Sequence, residues 1–140
     1  ISKAELLAIW PLFYAVLGLE LNIPGRCLRF TPHLPEGITV LKAPLFCTAC
    51  LGSVHFTEER QPEYRQHFRI RFDSPVRIEN VILRVPADIK VEQVACEGND
   101  GPVACQWSLI PGEGAVRLHI LIREEVTTIQ SLAIRVLAGS

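Results

Sequence analysis

Methionine is missing from this chain altogether, and only 7% of its 140 residues are aromatic. The chain opens on Ile1 rather than on an initiator, which leads us to expect that it derives from a longer protein. Net charge is nearly absent too: fourteen Lys and Arg stand against fifteen Asp and Glu, giving −1. That balance shows no electrostatic footprint for nucleic acid or an anionic membrane, so neither is expected as a partner. Long apolar runs are also missing. Leu6 to Leu19 is too short to span a bilayer, contains Pro11 and lacks basic flanks on one side, so neither a signal peptide nor a membrane span is expected. There is no low-complexity segment and no internal repeat beyond strand-turn alternation. The ten Pro and nine Gly are spread along the chain, which fits many turns and argues against a disordered linker.

What is present is a core. The chain is 49% hydrophobic and long enough for one buried domain. Much of it alternates with period two: His67–Phe72, Val76–Val85 in large part, Ile89–Val94, Ala115–Arg123 and Ile129–Val136. Such alternation places one face on a core and the other in water, as antiparallel sheets do. Turn residues separate the runs at Asp73-Ser-Pro, Pro86-Ala-Asp, Gly98-Asn-Asp-Gly101 and Pro111-Gly-Glu-Gly114. The spacing predicts a mainly β chain, an antiparallel β-sandwich of roughly eight to ten strands. Phe68, Ile70, Phe72, Ile82, Val91, Leu118, Ile120 and Ile134 are its expected core, although Val81-Ile-Leu83 breaks strict alternation.

The start of the chain reads differently. Ser2-Lys-Ala-Glu5 has the form of a capping box, and Gly18 is placed to end a helix. Pro11 predicts a kink, or two short helices meeting there. Leu6, Leu7, Ile9, Trp10, Leu12, Phe13, Ala15, Val16 and Leu17 cover nearly the whole circumference of that segment, and a helix apolar all round is buried all round. We therefore divide the chain into a helical segment at 1–18, the end of a missing helical domain, and a β-sandwich at 19–140. Residues 2–17 are expected to dock against the missing N-terminal helical domain or, in a homo-oligomer, against a second copy.

At the junction, Leu17-Gly-Leu-Glu-Leu-Asn-Ile23 is followed by Leu28-Arg-Phe-Thr-Pro-His-Leu-Pro-Glu-Gly37 and by Leu41-Lys-Ala-Pro-Leu-Phe46. This passage resembles the C-terminal end of six-hairpin glycosidases, above all bacterial relatives of the non-lysosomal glucosylceramidase (β-glucosidase) family. The maltose and cellobiose phosphorylases are more distant cousins. The resemblance is confined to Tyr14–Phe46; the remainder is similar only in being β-rich. It implies an α/α toroid upstream that carries catalysis, with this chain as the β-rich segment after the last barrel helix. Physically, Pro32 and Pro35 fix extended backbone around His33-Leu34 and lock a crossover between strands.

No catalytic residue is assigned. Glycoside hydrolysis uses two carboxyl groups flanking the scissile bond, and the resemblance places them upstream of Ile1. Here Glu58-Glu59 and Glu124-Glu125 are adjacent pairs, and neighbours on a strand point to opposite faces. Cys47, Cys50, Cys96 and Cys105 form a conceivable four-thiolate zinc set. Yet Leu45-Phe-Cys-Thr-Ala-Cys-Leu51 reads as a buried strand rather than a metal knuckle, and no helix follows for a thioredoxin-like role. Buried free thiols are favoured, and neither a metal nor a cofactor is expected. A hairpin around Glu97–Gly101 is able to bring Cys96 opposite Cys105, and a disulfide there would need Cβ atoms about 4 Å apart, so their disulfide state stays open. Cys27 stands alone, and an odd count in apolar strands leans toward a reducing cytoplasm. His33, His55, His67 and His119 share no metal spacing, and His119 is expected to point outward. There is no Gly-rich phosphate loop ahead of a helix.

Two functions follow. In the first, the chain is the non-catalytic C-terminal β-sandwich of a carbohydrate-active enzyme, supporting the catalytic helical domain. In the second, it is a stand-alone carbohydrate-binding or protein-interaction module. For sugar stacking, Trp107, Tyr64 and Phe56 are the available aromatics, and so few of them ranks the second class lower.

Overall fold

The alternating runs close into two sheets in the computed structural model, which describes residues 18–22, 25–32, 40–46, 51–60, 63–112, 115–122 and 128–139. Among these residues lie β1 (Leu19–Asn22), β2 (Cys27–Phe30), β3 (Val40–Phe46), β4 (Leu51–Glu59), β5 (Arg65–Arg77) and β6 (Asn80–Pro86). They are followed by β7 (Lys90–Gly98), β8 (Gly101–Val103), β9 (Cys105–Pro111), β10 (Ala115–Ile122) and β11 (Thr128–Gly139). A five-stranded sheet has the order β1-β2-β6-β10-β9, and a six-stranded sheet the order β3-β4-β5-β11-β7-β8. The described pairings are antiparallel except β2 with β6, which run parallel from Cys27↔Asn80 to Phe30↔Leu83. The all-antiparallel expectation is corrected there, because the chain leaves the sheet after β2 and re-enters it at β6 running the same way.

The predicted helix over 1–18 and its docking surface lie outside the described residues, apart from Gly18. That glycine has φ +66°, and a Cβ on it would stand 2.3 Å from the carbonyl oxygen of Thr31. Thr31 N–H donates back to Gly18 O at 3.0 Å, so a left-handed, side-chain-free residue closes the β1–β2 ladder.

Two predicted features turn out otherwise. Asp73-Ser-Pro75 does not reverse the chain; it is a bulge inside β5. Ile129 pairs with Val76 but Ser131 already pairs with Arg71, so four β5 residues face Gln130 alone. The Asn99 carboxamide covers the resulting gap, accepting from the N–H groups of Gln130 and Ser131 at 2.9 and 2.8 Å. A bulge allows Pro75 within the strand because no ladder donor is needed from it. Second, Val76–Val85 is not one run. The chain turns a corner at Ile78–Glu79, leaving the six-stranded sheet after Arg77 and joining the five-stranded sheet at Asn80. Arg26 holds that corner from the side: its carbonyl accepts from Glu79 N and Asn80 N at 2.8 and 3.1 Å, and its guanidinium meets Glu79 Oε1 at 2.6 Å. Arg26 adopts φ 52°, an unusual conformation for a residue with a Cβ.

The core lies between the sheets. Phe30 of β2 packs against Phe56 of β4 and Phe68 of β5 with centroids 5.2 and 5.0 Å apart, tilted as aromatic pairs prefer. Of the expected core, Phe68, Ile70, Phe72, Val91, Leu118, Ile120 and Ile134 are buried. Ile82 is the exception. The buried positions of β6 are Val81, Leu83 and Val85, so period two places Ile82 on the outer face, half-buried opposite His119. One buried polar side chain occurs among the described residues: Gln66, whose Nε2 donates to Tyr64 Oη at 2.9 Å and across the sandwich to Arg84 O at 2.8 Å.

Candidate functional site

The carboxylates separate as the strand period requires. Glu58 turns inward, half-buried, and accepts a 2.7 Å hydrogen bond from the Tyr64 hydroxyl; Glu59 turns outward opposite Arg65 and is exposed. Burial, and then Glu58, push the Tyr64 phenol above its ordinary range. Glu124-Glu125 lies outside the described residues.

The thiols meet in an unexpected place. Cys96 sits on β7 of the six-stranded sheet and Cys105 on β9 of the five-stranded sheet, so the pair spans the sandwich; across the hairpin Cys96 pairs with Val103. Cys96 is buried, and burial, followed by the hydrogen bond its own S–H donates to Cys105, pushes its thiol well above the ordinary range. Cys47 and Cys50 lie outside the described residues. Phe46 pairs antiparallel with Leu51, which places Leu45-Phe46 and Leu51 on two strands rather than one. Cys27 is half-buried on β2.

Among the histidines, His119 does point outward from β10, between buried Leu118 and Ile120, and its Nε2 stands 2.9 Å from Asn80 Oδ1. His55 and His67 lie on the outer face of the six-stranded sheet, and His33 is outside the described residues. Of the three aromatics considered for sugar stacking, Phe56 and Tyr64 are buried in the core. Trp107 alone is exposed, at 36%. It lies on β9, opposite Ile120, with Leu109 opposite Leu118. Both therefore face the core side, yet both are open, because this edge strand is scarcely covered along its length. The result is an apolar strip of Trp107, Leu109 and Pro111 at the rim of the sandwich.

A second surface was not singled out from the sequence. The outer face of the six-stranded sheet carries Lys42, His55 and Arg69 in one cross-strand row, Ser53 and Arg71 in the next, and His67 and Arg135 in the row on the other side. An open groove of about 410 Å³ runs among Lys42, Pro44, Ser53, His55, Arg69 and Arg71. Its signal was visible in His67-Phe-Arg-Ile-Arg-Phe72, where the non-core positions are all basic. A near-zero net charge hid it. Burial, followed by Arg135, Arg69 and His55, lowers the His67 pKa, with Glu97 opposing.

No family model matches the chain, and no curated protein matches it. Among solved structures, it is similar to an α-L-rhamnosidase from Dictyoglumus thermophilum, with 16% identity and a TM-score of 0.51. The likeness covers 93% of this chain and 13% of the rhamnosidase chain. The two-sheet fold is thus shared with a small part of a glycosidase. Among the described residues no helix is long and apolar enough to cross a membrane.

Proposed function

We propose that this chain is a non-catalytic accessory β-sandwich of a carbohydrate-active enzyme, packed against a helical catalytic domain and supporting it. The observation that carries the reading is the fold likeness: nearly the whole chain superimposes on a stretch that makes up 13% of a glycosidase. A domain this small within so long a chain has most of the enzyme beside it. The rim strip offers the contact. Trp107 and Leu109 are 36% and 40% exposed on a core-side face, an arrangement that leaves apolar area open to a neighbouring domain. The helical segment expected at 2–17 supplies a second contact to the same neighbour. Burial of Phe56 and Tyr64 leaves Trp107 without companions, which weighs against a stand-alone sugar-binding face.

The reading frame that carries this chain tests the proposal. We expect it to encode a helical domain upstream of Ile1. In the full-length protein, Trp107→Ser and Leu109→Asp should lower thermal stability more than the same changes do in the 140-residue chain. A frame without a helical domain, or equal effects in both proteins, would sink the reading.

A further inference from the structure

The basic groove on the outer face of the six-stranded sheet has no part in that docking scheme, and it poses a physical problem of its own. Like charges on neighbouring positions of a sheet repel one another. Arg69 and Arg71 project from the same face of β5, two residues and hence about 7 Å apart. His55 lies beside Arg69 and carries Lys42 on its other flank, while Ser53 lies beside Arg71. The ion pairs Arg26–Glu79 and Arg60–Asp88 both lie away from this face. Carboxylates lie at the borders of this face: Glu97 shares the row of Lys42, His55 and Arg69 with Ala133 between it and Arg69, Asp73 follows Arg71 on β5, and Glu59 stands opposite Arg65. Three cations thus converge on one open concavity with hydroxyl and imidazole groups between them. In the neighbouring row, burial first and then Arg135, Arg69 and His55 lower the His67 pKa, so the same positive charge contributes to that shift without being its main cause.

We propose that the groove bounded by Lys42, Ser53, His55, Arg69 and Arg71 binds a small ligand through an oxyanion, a carboxylate, sulfate or phosphate on a molecule of about one sugar ring. Guanidinium forks are matched to planar and tetrahedral oxyanions, and Lys42 adds a mobile point charge from β3, two strands along the same sheet. The volume of about 410 Å³ is within the range of small-molecule sites and holds more than a bare ion. Pro44 lines the end of the groove and offers a ring face apolar atoms can rest on. The sheet fixes the backbone positions from which these cations extend, and the ligand's contacts offset the cost of ordering their exposed or half-buried side chains.

Titration calorimetry of the 140-residue chain at low salt tests this with four probes: inorganic phosphate, sulfate, D-glucuronate and D-glucose. Saturable binding of phosphate or sulfate, of glucuronate, or of both is expected, and the pattern tells a phosphorylated or sulfated ligand from a carboxylated one. Glucose should be silent. Arg69→Gln combined with Arg71→Gln should weaken anion binding by roughly tenfold or more, while Arg117→Gln on the other sheet leaves it unchanged. Circular dichroism of each variant checks folding, and Lys42→Gln, on an exposed side chain, repeats the test if the double variant is unstable. No saturable anion binding, equal affinity in the folded groove variants, or binding of glucose as tight as glucuronate would overturn the proposal. Retention on heparin without small-anion binding would overturn it as well, in favour of a polyanion surface.

Discussion

The Tyr64 hydroxyl donates a 2.7 Å hydrogen bond to Glu58 Oε2 while accepting one of 2.9 Å from Gln66 Nε2. Gln66 then reaches Arg84 O at 2.8 Å, so a chain of side chains ties β4 and β5 to β6 on the opposite sheet. The Gln66 amide orientation follows: its Nε2 lies between two acceptors, and Oε1 is left buried without a partner. A buried network that is already incomplete is sensitive to further loss.

Tyr64→Phe removes the hydroxyl but keeps the ring. Glu58 loses its donor and Gln66 Nε2 loses one acceptor, so we expect a loss of about 1–3 kcal/mol in urea unfolding, the usual cost of stranding buried polar groups. A change within error would show that the network contributes nothing to holding the sheets together.

Gly52 marks a second tight point. A Cβ there would stand 1.9 Å from the carbonyl oxygen of Arg71, and a strand backbone cannot yield as a flexible side chain can. Gly52→Ala is expected to destabilise by about 2 kcal/mol or more, through backbone strain of the kind that produces large single-site effects. It should also disturb the groove, since Arg71 is the residue displaced. Unchanged stability together with unchanged anion binding would show that β4 and β5 are less closely apposed here.

His67 gives a pH dependence with a defined sign. Its neighbours are Arg69 on its own strand, His55 on β4, Arg135 on β11, and the opposing Glu97 on β7; burial and the cations lower its pKa from 6.5. Folded His67 therefore binds a proton less readily than unfolded His67. As pH falls below about 6.5, the unfolded chain takes up a proton that the folded chain does not, and stability declines until folded His67 titrates too. Urea midpoints measured against pH should show a shallower acid-side decline in His67→Gln than in the parent. Parallel curves for the two proteins would contradict the assignment.

The thiols offer a chemical readout. Cys96 is buried and its thiol is raised by burial and by Cys105, so little thiolate is available to react. With a disulfide reagent in excess, Cys96 should label at the rate of unfolding, and faster only when urea is added. Immediate labelling of Cys96 in the native chain would place it outside the sandwich.

Much of the fold was legible because period two is a strong local signal. His67–Phe72 and Ala115–Ile122 fold as read, with Phe68, Ile70, Leu118 and Ile120 inside. What escaped were features set by distant partners. Val76–Val85 looks continuous, but its corner at Ile78–Glu79 depends on Arg26, more than fifty residues earlier. The Asp73-Ser-Pro75 bulge depends on Asn99 and Gln130, and Cys105 meets Cys96 only because β9 changes sheets. The basic groove was missed for a related reason. Lys42, His55 and Arg71 lie on three strands, and only their register brings them together.

Turnover by the 140-residue chain itself tests the central claim most directly. Assayed against a panel of aryl glycosides that includes an aryl α-L-rhamnoside, the purified chain should give no release above buffer, because Glu58 is engaged by Tyr64 and Glu59 faces the other side of β4. Release that persists through repurification and disappears in Glu58→Gln or Glu59→Gln would contradict an accessory role and place a glycosidase active site within the sandwich.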